Sequence, residues 1–301
     1  KNLNEKESFA GEADYILQSA NTAVNVFSDL RTGLAYNKSL LADRKVGIKY
    51  SLNNRIYPGN GTATFVKNDI VTTYDYKKTQ LNLGLTNYAA PNNSASGYTN
   101  LEMGAHNVQS FSETTKINTR GGILIRAWGN SNSNYLRANA QIGVNHSLAA
   151  DQMLKLDNLL ENAVYNNATS SYLHNLLTVR YEKLFAEAAT LVVSEKYTID
   201  RYPYSAGQDA SRHQIELNYT WPLPHDLTLL LTGGYELKSF AAPSASQSDY
   251  NAYTLAANFD YPFSKEGKVT FVVSNFNKKN VQNAAADTVD RNVSLNLAYN
   301  F

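Results

Sequence analysis

The carboxy-terminal ten residues constrain the fold of this chain more than any other stretch. Apolar side chains occupy every second position there, and small or polar ones lie between them; the apolar set is Val293, Leu295, Leu297, Tyr299 and Phe301. This alternation predicts a β-strand with one apolar and one polar face, because successive side chains of a strand point to opposite sides. The alternative is an edge strand of a soluble β-sandwich. In that fold the aromatic residues at the end of the chain would be exposed to water. We therefore expect a strand that faces lipid.

The same segment resembles the carboxy-terminal signal of bacterial outer-membrane β-barrels. That signal ends in Phe and has aromatic or aliphatic residues at every second position before it, matched here by Leu295, Leu297, Tyr299 and Phe301. The resemblance implies insertion by the barrel-assembly machinery. It also implies residence in the outer membrane of a Gram-negative bacterium, in contact with outer-membrane lipid.

Composition is compatible with a barrel. No run of about 18 apolar residues exists, so any membrane crossing must use strands rather than a helix. Lys and Arg number 27 against 26 Asp and Glu, which gives no reason to expect nucleic acid as a partner. The absence of cysteine excludes a disulfide scaffold and thiolate metal sites. Because Lys1 is not an initiator methionine, we expect a mature chain whose secretory signal has been removed.

Strand-like stretches follow one another from about residue 20 to the end of the chain. Most have close to the roughly 9–11 residues that a tilted membrane strand needs. The fifteen predicted strands cover residues 24–36, 40–52, 62–76, 81–88, 101–108, 117–128, 136–144, 153–165, 173–181, 185–197, 215–221, 227–237, 253–263, 269–276 and 292–301. We expect an all-β fold, a transmembrane antiparallel up-and-down β-barrel. A barrel of this kind has an even number of strands, so one assignment within the first 130 residues should be wrong.

The connections between the predicted strands alternate in kind. Tight turns cover residues 182–184, 222–226 and 262–267, and longer polar loops cover 203–211, 241–249 and 279–287. Short periplasmic turns and longer external loops are the usual asymmetry of an outer-membrane barrel. No loop exceeds about a dozen residues, so we expect none to fold inward and narrow a wide lumen.

Residues 1–15 show no sustained alternation and carry six charged side chains, so we predict that they are not a membrane strand. This divides the chain into an amino-terminal periplasmic plug, residues 1–15, and a barrel, residues 16–301. In the plug, acidic side chains are predicted to pair with lumen arginines, and an aromatic ring to occupy a sugar-contacting surface. The predicted gate residues are Glu5, Glu7, Phe9, Glu12 and Asp14. The alternative is a mobile tail outside the pore.

The side chains that alternate with the apolar ones along each strand should line the lumen of the barrel. Among them, the predicted ligand-contacting residues are Lys116, Arg120, Arg126, Arg137, Asn139, His174, Arg180, Arg212, Glu216 and Glu236. Their charges are mixed, and amides and hydroxyls surround them. Such a lining hydrogen-bonds neutral polyols and gives little ion selectivity. The alternative is that these are ordinary solvated side chains of a barrel interior.

Patterns that carry catalysis are missing from the sequence. The five histidines are scattered, without the spacing of a metal-binding helix, and no G-x-S-x-G elbow is present. We therefore expect no enzyme, no metal and no cofactor.

The chain as a whole resembles the cyclodextrin porins of enteric bacteria, also known as cycloamylose channels. The resemblance lies in the near-neutral, Tyr- and Asn-rich composition, the short loops, the terminal L-N-L-A-Y-N-F and the detached head K-N-L-N-E-K-E-S-F-A-G-E-A-D-Y. It implies a 14-stranded monomer that passes bulky cyclic oligosaccharides by passive diffusion, with the head as its gate. The residues alone leave 14 and 16 strands open.

Two other functions remain possible from the sequence. The chain could be the barrel of an exopolysaccharide export porin, which would require a large helical periplasmic domain before Lys1. An outer-membrane enzyme is the least supported alternative, because no catalytic pattern accompanies the scattered histidines.

Overall fold

The structure, a computed structural model, describes residues 7–18, 27–58, 63–130 and 133–299. It contains one antiparallel sheet of 16 strands, whose order in the sheet is their order in the sequence. The strands are β1 (Glu7–Gln18), β2 (Phe27–Leu41), β3 (Arg44–Ile56), β4 (Phe65–Tyr76), β5 (Thr79–Ala89), β6 (Tyr98–Ser110), β7 (Thr115–Trp128), β8 (Tyr135–Ala149), β9 (Gln152–Tyr165), β10 (Tyr172–Leu184), β11 (Thr190–Arg201), β12 (Ala210–Pro222), β13 (Thr228–Phe240), β14 (Tyr250–Pro262), β15 (Gly267–Asn280) and β16 (Thr288–Tyr299).

Helical structure in the described residues consists of single 3-10 turns in the connections. They include Ser94–Ser96, Ala168–Ser170, Ala186–Ala188, Ala206–Gln208 and Ala284–Ala286. None of the helices in the described part of the chain is long and apolar enough to cross a membrane.

The last strand has the faces that its alternation predicts. In β16, Leu295 lies opposite Phe271 and Leu297 lies opposite Val269 on the neighbouring strand β15. The two leucines are 70% and 71% exposed, so the apolar face of this strand is uncovered by the protein. Tyr299 continues the same face. Phe301, which was predicted to belong to this face, lies outside the described residues. An exposed apolar strand face is what lipid contact requires.

The number of strands corrects the prediction. Fifteen predicted strands overlap β2 to β16, although residues 24–26, 62 and 300–301 of three of them lie outside the described residues. The preferred number of 14 strands is wrong, and 16 is the number found. The expected error within the first 130 residues is the omission of β1.

For residues 7–15, β1 contradicts the prediction that the segment 1–15 is not a strand, whereas residues 1–6 lie outside the described residues. It pairs antiparallel with β2 over its whole length, from Glu7 opposite Lys38 to Gln18 opposite Phe27. An alternation of Phe9, Gly11, Ala13, Tyr15 and Leu17 was present, but Gly and Ala give it little apolar character. The backbone hydrogen bonds of β2 favour the pairing even where the side chains favour it weakly. The predicted boundary after residue 15 falls inside this strand.

The connections alternate as predicted. Those after β2, β4, β6, β8, β10, β12 and β14 have two to five residues, and the described ones after the odd-numbered strands have six to nine. We refer to these two sides as the short-turn end and the loop end. β1 begins and β16 ends at the short-turn end, since Glu7 and Tyr299 pair with residues close to short turns. This is the arrangement expected of an outer-membrane barrel with both chain ends in the periplasm.

By internal contacts the chain divides into two compact units. Unit 1 comprises Lys1–Gln109, Asn118–Ala140 and Glu161–Ser171, and unit 2 comprises Ser110–Ile117, Gln141–Leu160 and Tyr172–Phe301. In each unit the buried side chains are few and mostly small, including Ala90 and Ala163 in unit 1 and Ala189, Ala210 and Ala252 in unit 2. A sheet with two exposed faces has this character, because no second layer packs on it.

Aromatic rings mark the short-turn end of the apolar face in unit 2. Phe185 contacts Tyr219 at 6.2 Å between ring centroids, and Tyr219 contacts Trp221 at 6.5 Å. Phe263 stacks on Tyr299 at 6.4 Å. Rings in this position fit the aromatic belt with which membrane proteins meet the interface between lipid and water.

Arginine substitutions in β16 test the assignment of its faces. Leu295→Arg or Leu297→Arg should destabilise the folded protein by about 2–4 kcal/mol near the bilayer midplane, because the guanidinium would meet lipid. Asn296→Arg, on the opposite face, is the matched control and should fold almost normally. Folding into vesicles, followed by heat-modifiable gel mobility, measures the difference; equal tolerance at the three positions would contradict the assignment.

Candidate functional site

We refer to the side of the sheet opposite to the apolar face as the polar face, since it carries most of the charged side chains. The polar face of unit 2 holds the predicted residue Arg180 in an ion pair with Glu182, at 2.6 Å between nitrogen and oxygen. Lys155 reaches the same carboxylate at 2.7 Å. The Glu182 carboxylate thus pairs with two cations, Lys155 on strand β9 and Arg180 on its own strand, β10.

Three further predicted residues of unit 2 lie in a second group. Arg212 approaches Glu236 at 3.4 Å, and the Tyr250 hydroxyl also donates to Glu236. Glu216 accepts hydrogen bonds from Lys196 at 3.1 Å and from its neighbours on strands β11 and β12. The structure therefore brings the predicted residues Arg212 and Glu236 into contact with each other, whereas Arg180 and Glu216 pair with side chains that were not predicted.

His174 is the predicted histidine of the polar face, and it lies 2.7 Å from a carboxylate oxygen of Asp200 on the next strand. A pair of this kind could transfer a proton in an enzyme. No cluster of three His, Cys, Asp or Glu side chains that could hold a metal ion occurs among the described residues. The expectation that the chain is not an enzyme stays a prediction.

In unit 1 the predicted residues differ in their surroundings. Arg137 lies 3.8 Å from Glu161, and Arg126 donates from Nε to the Asn100 side chain at 2.7 Å. By contrast, the predicted residues Lys116, Arg120 and Asn139 make no ion pair or side-chain hydrogen bond to another described residue.

The predicted gate residues are divided between the two faces of β1. Asp14 lies opposite Arg31, and Glu12 lies opposite Gly33, so both acids are on the polar face. A side chain at Gly33 would come within 2.8 Å of the Glu12 carboxylate, so glycine leaves room for this acid.

The other gate residues are on the apolar face. Glu7 pairs with Lys38 at 2.7 Å, and Phe9 is 61% exposed beside it. Glu5 lies outside the described residues. The five residues predicted to act as one plug therefore do not share a surface while β1 is paired with β2. Their role as a gate stays a prediction.

Sequence reasoning missed a buried acid on the polar face at the loop end. Asp29 is 0% exposed, and its Oδ2 accepts from Arg31 and from Arg55, each at 2.7 Å. Burial of this carboxylate is tolerated because two guanidinium groups neutralise and hydrogen-bond it. The register of β2 against β3 places Asp29 opposite Arg55, and periodicity alone does not reveal that register.

Sequence reasoning also missed a row of aromatic rings on the polar face of unit 1. Its members lie at the loop ends of consecutive strands or directly after them. We refer to the following residues as the aromatic row: Phe27, Tyr57, Phe65, Tyr88, Tyr98, Trp128, Tyr135 and Tyr165.

The rings of the row follow one another at nearly constant spacing. Phe65 lies 5.2 Å from Tyr88, Tyr88 lies 5.1 Å from Tyr98, and Tyr98 lies 5.0 Å from Trp128. This spacing is close to the separation of neighbouring strands, so each strand contributes the next ring. The sequence held a signal for the row: Trp128 has the parity of Arg126 rather than that of the apolar side chains of β7.

Two arginines join the rings into one row. Arg55 lies over Phe27 at 4.4 Å and over Phe65 at 5.7 Å. Arg126 lies over Tyr98 at 4.5 Å and over Tyr135 at 5.4 Å. Cation–π attraction of this kind contributes about 0.5–1 kcal/mol at exposed sites and more where water is excluded. The row is thus a mixed aromatic and cationic surface.

Side-chain clips hold the loops next to these rings. In each clipped loop, the residue before the next strand accepts a hydrogen bond from a backbone N–H at the end of the previous strand. The clips are Thr64 with Tyr57, Asn134 with Trp128, Ser171 with Tyr165, Asp209 with Tyr202, Asp249 with Phe240 and Asp287 with Asn280. Acceptors of these types commonly close short turns. The four clipped loops that are described throughout, closed by Ser171, Asp209, Asp249 and Asp287, are therefore compact.

No protein-family model matches this chain, and no curated protein does. Solved structures do match. The outer membrane channel DcaP of Acinetobacter baumannii aligns with a TM-score of 0.54 at 14% identity, over 99% of each chain. OmpT, an outer membrane protein of Vibrio cholerae, aligns in its trimer form with a TM-score of 0.50 at 8% identity, over 97% of each chain. A bacterial polysaccharide outer membrane secretin aligns at 0.45 and 7% identity, over 98% of each chain, too weakly to support an argument.

At these identities the similarity concerns the fold alone. It agrees with the sheet of 16 sequentially ordered antiparallel strands, and it extends to outer-membrane proteins in general rather than to cyclodextrin porins in particular. The chain has the fold of an antiparallel up-and-down outer-membrane β-barrel.

Proposed function

We propose that this chain is an outer-membrane diffusion channel for bulky neutral oligosaccharides, such as cyclodextrins. The observation that carries the proposal is the polar face, on which most of the predicted charged residues form ion pairs with side chains of the same or an adjacent strand. In this proposal the polar face lines a water-filled passage, and the solute moves down its gradient without an energy-coupling partner.

Local pairing of charges supports a neutral solute. Glu182 serves both Lys155 and Arg180, and Glu236 serves Arg212, so these groups present little uncompensated charge to the passage. A solute would meet paired ions, amides and hydroxyls, which hydrogen-bond polyols without selecting strongly for one sign of charge. Such partly exposed pairs are worth only about 0–1 kcal/mol each, so they can rearrange around a passing solute.

The loop end supports a bulky solute. Its described loops have six to nine residues, and several are clipped by hydrogen bonds such as that from the Tyr165 N–H to the Ser171 hydroxyl at 3.0 Å. A compact loop of this length cannot reach across a barrel of 16 strands, which is wide enough to leave an aqueous channel. We infer that side chains of the polar face, not a folded loop, limit the size of the solute.

The proposal extends to location and partners. The chain would lie as a monomer in the outer membrane of a Gram-negative bacterium, with lipid against the apolar face. Its terminal Leu295, Leu297, Tyr299 and Phe301 would be read by the barrel-assembly machinery. No observation favours the export of exopolysaccharide over this function.

The amino-terminal segment would act as the gate, but not as a free plug. Because β1 is paired with β2, gating requires β1 to leave β2, at least near Glu12 and Asp14. Arg31 lies opposite Asp14 but already pairs with Asp29, so Asp14 is weakly held by charge. In this form the gate opens by peeling a strand rather than by withdrawing a tail.

Current recordings in planar bilayers test the choice of solute. The intact protein should conduct, and α-cyclodextrin should interrupt its current more strongly than sucrose. The affinity for α-cyclodextrin should change less than about twofold between about 0.1 M and 1 M KCl, where the Debye length falls from roughly 10 Å to 3 Å. A steep loss of block at high salt, or strong block by an acidic polysaccharide fragment alone, would contradict the proposal and favour a charged polymer.

A cross-link between β1 and β2 tests the gate. The chain has no cysteine, so the double variant Ala10→Cys, Ala35→Cys offers a single possible disulfide, at two residues that face each other across these strands. If β1 peels away, the oxidised protein should lose its transitions between conductance levels and recover them on reduction.

The control places the same bond where no movement is proposed. Ala256→Cys with Ser274→Cys joins facing residues of β14 and β15, and its oxidation should leave the recordings unchanged. Conductance transitions that persist in the fully oxidised β1–β2 variant would reject the gate while leaving the channel itself untouched.

A further inference from the structure

We propose that the aromatic row is an oligosaccharide-binding site at the loop-end mouth of the polar face. The residues assigned to sugar contact are Tyr88, Tyr98, Trp128 and Arg126. This inference rests on the proposed function, because it names the place where the proposed solute would bind first. None of the three aromatic residues was among the ligand-contacting residues expected from the sequence.

Lipid does not explain the position of the row. In a membrane barrel the aromatic belts lie on the apolar face, as Trp221 does here beside Tyr219 at the short-turn end. Trp128 lies instead on the parity of Arg126, whose guanidinium is 5.3 Å from the indole ring and is held by the Asn100 amide. Eight adjacent rings on a face otherwise rich in charges and amides require another reason, and a ligand with both apolar and polar surface supplies one.

The stacking decides which part of each ring a ligand can touch. Tyr88 has Phe65 on one side and Tyr98 on the other, with interplanar angles of 29° and 12°, so both of its faces are used within the row. It can offer only its edge and its hydroxyl. Trp128 is tilted by 59° to Tyr98 and therefore presents a different surface from its neighbours. The row thus offers hydroxyls and ring edges from the tyrosines, and indole surface from Trp128.

Arg126 adds hydrogen-bond donors in a fixed place. Its guanidinium lies over Tyr98 at 4.5 Å and over Trp128 at 5.3 Å, and its Nε is bound to Asn100 at 2.7 Å. Only one of its five N–H donors is used in the Asn100 contact. The terminal N–H groups can therefore donate hydrogen bonds to the hydroxyl oxygens of a sugar, while the neighbouring rings fix the plane of the guanidinium group.

These features together fit a carbohydrate better than an anion or a fatty chain. Sugar rings combine apolar C–H patches with hydroxyl groups, and the row combines ring surface with hydroxyls and guanidinium donors. An anion would find Arg126 as its main cationic partner, because Arg55, the second arginine of the row, is held by the buried Asp29, and it would leave the ring surface unused. A fatty chain would leave the phenol hydroxyls and the guanidinium without partners, which is costly once water is excluded.

The site is also ordered before a ligand arrives. Its rings project from strand ends, and the clip between Asn134 and the Trp128 N–H fixes the backbone at one of them. Gly129 follows directly, and a side chain there would clash with the backbone oxygen of Ser94. The loops of neighbouring hairpins are thus in close contact beside Trp128. Preorganisation of this kind reduces the entropy lost on binding.

The two tryptophans of the chain make a matched pair of probes. Trp128 belongs to the row, and Trp221 lies on the apolar face. Trp221→Phe leaves Trp128 as the single fluorophore, and Trp128→Phe leaves Trp221. In proteoliposomes, α-cyclodextrin and maltohexaose should change the emission of Trp128 and protect it from acrylamide, with saturation. The emission of Trp221 should not respond to either sugar, and brominated lipid should quench it instead.

Block of single-channel current provides the second measurement. Trp128→Leu should shorten the dwell time of α-cyclodextrin about fivefold, as expected for one lost aromatic contact. The matched control Trp221→Leu should not change it. The double variant Tyr88→Phe, Tyr98→Phe keeps the stacked rings, removes two hydroxyls, and should shorten the dwell time without affecting assembly. It replaces Trp128→Leu if that variant fails to fold.

The outcomes separate this inference from the proposed function. The binding site would be overturned if sugar blocked both row variants with the dwell times of the wild type and the emission of Trp128 did not respond to sugar. This result would not contradict the proposed channel. A protein that conducts but is never blocked by either sugar would overturn the proposed solute. In that case a saturable response of Trp128 to maltohexaose would still support a sugar site, and its absence would reject the site as well.

Discussion

The hydrogen-bonding demand of the backbone is the constraint on which the rest of this structure depends. Lipid offers no partner to a peptide group, so a chain without a membrane-spanning helix can cross a bilayer only if its strands satisfy one another. Every one of the 16 strands is paired with its neighbour in sequence, and β1 is paired with β2 although its apolar side is weak. Pairing with the free edge of β2 thus makes residues 7–15 a strand although their alternation of apolar side chains is weak.

Given that sheet, alternation separates two surfaces with different tasks. One face carries leucines such as Leu295 and Leu297, which nothing in the described protein covers. On the other face, strand register brings opposite charges together, as in the group of Lys155, Arg180 and Glu182. A strand can carry both surfaces because its side-chain period is two. The proposed passage for neutral solutes is a consequence of this second surface.

The loop end shows how register creates a feature that no single strand has. Tyr88 and Tyr98 end and begin adjacent strands, and they stack because those strands lie side by side. Arg126 is held between rings of different strands and the Asn100 amide. Short loops allow this, since they return the chain directly to the next strand and leave the rings half-buried rather than covered. The compact loops and the partly exposed aromatic row therefore have the same cause, which is the shortness of the connections at this end.

The sequence by itself determined the class of fold, the two faces and the alternation of short and long connections. It could do so because period-two patterning and turn residues act over a few neighbouring positions, as in the segment from Val293 to Tyr299. Only the tertiary structure decided that residues 7–18 form a strand, that Asp29 lies between two arginines, and that eight rings form one row. These features depend on which residues face each other across strands. Backbone pairing decides that, and the parity of one strand contains no information about its partner.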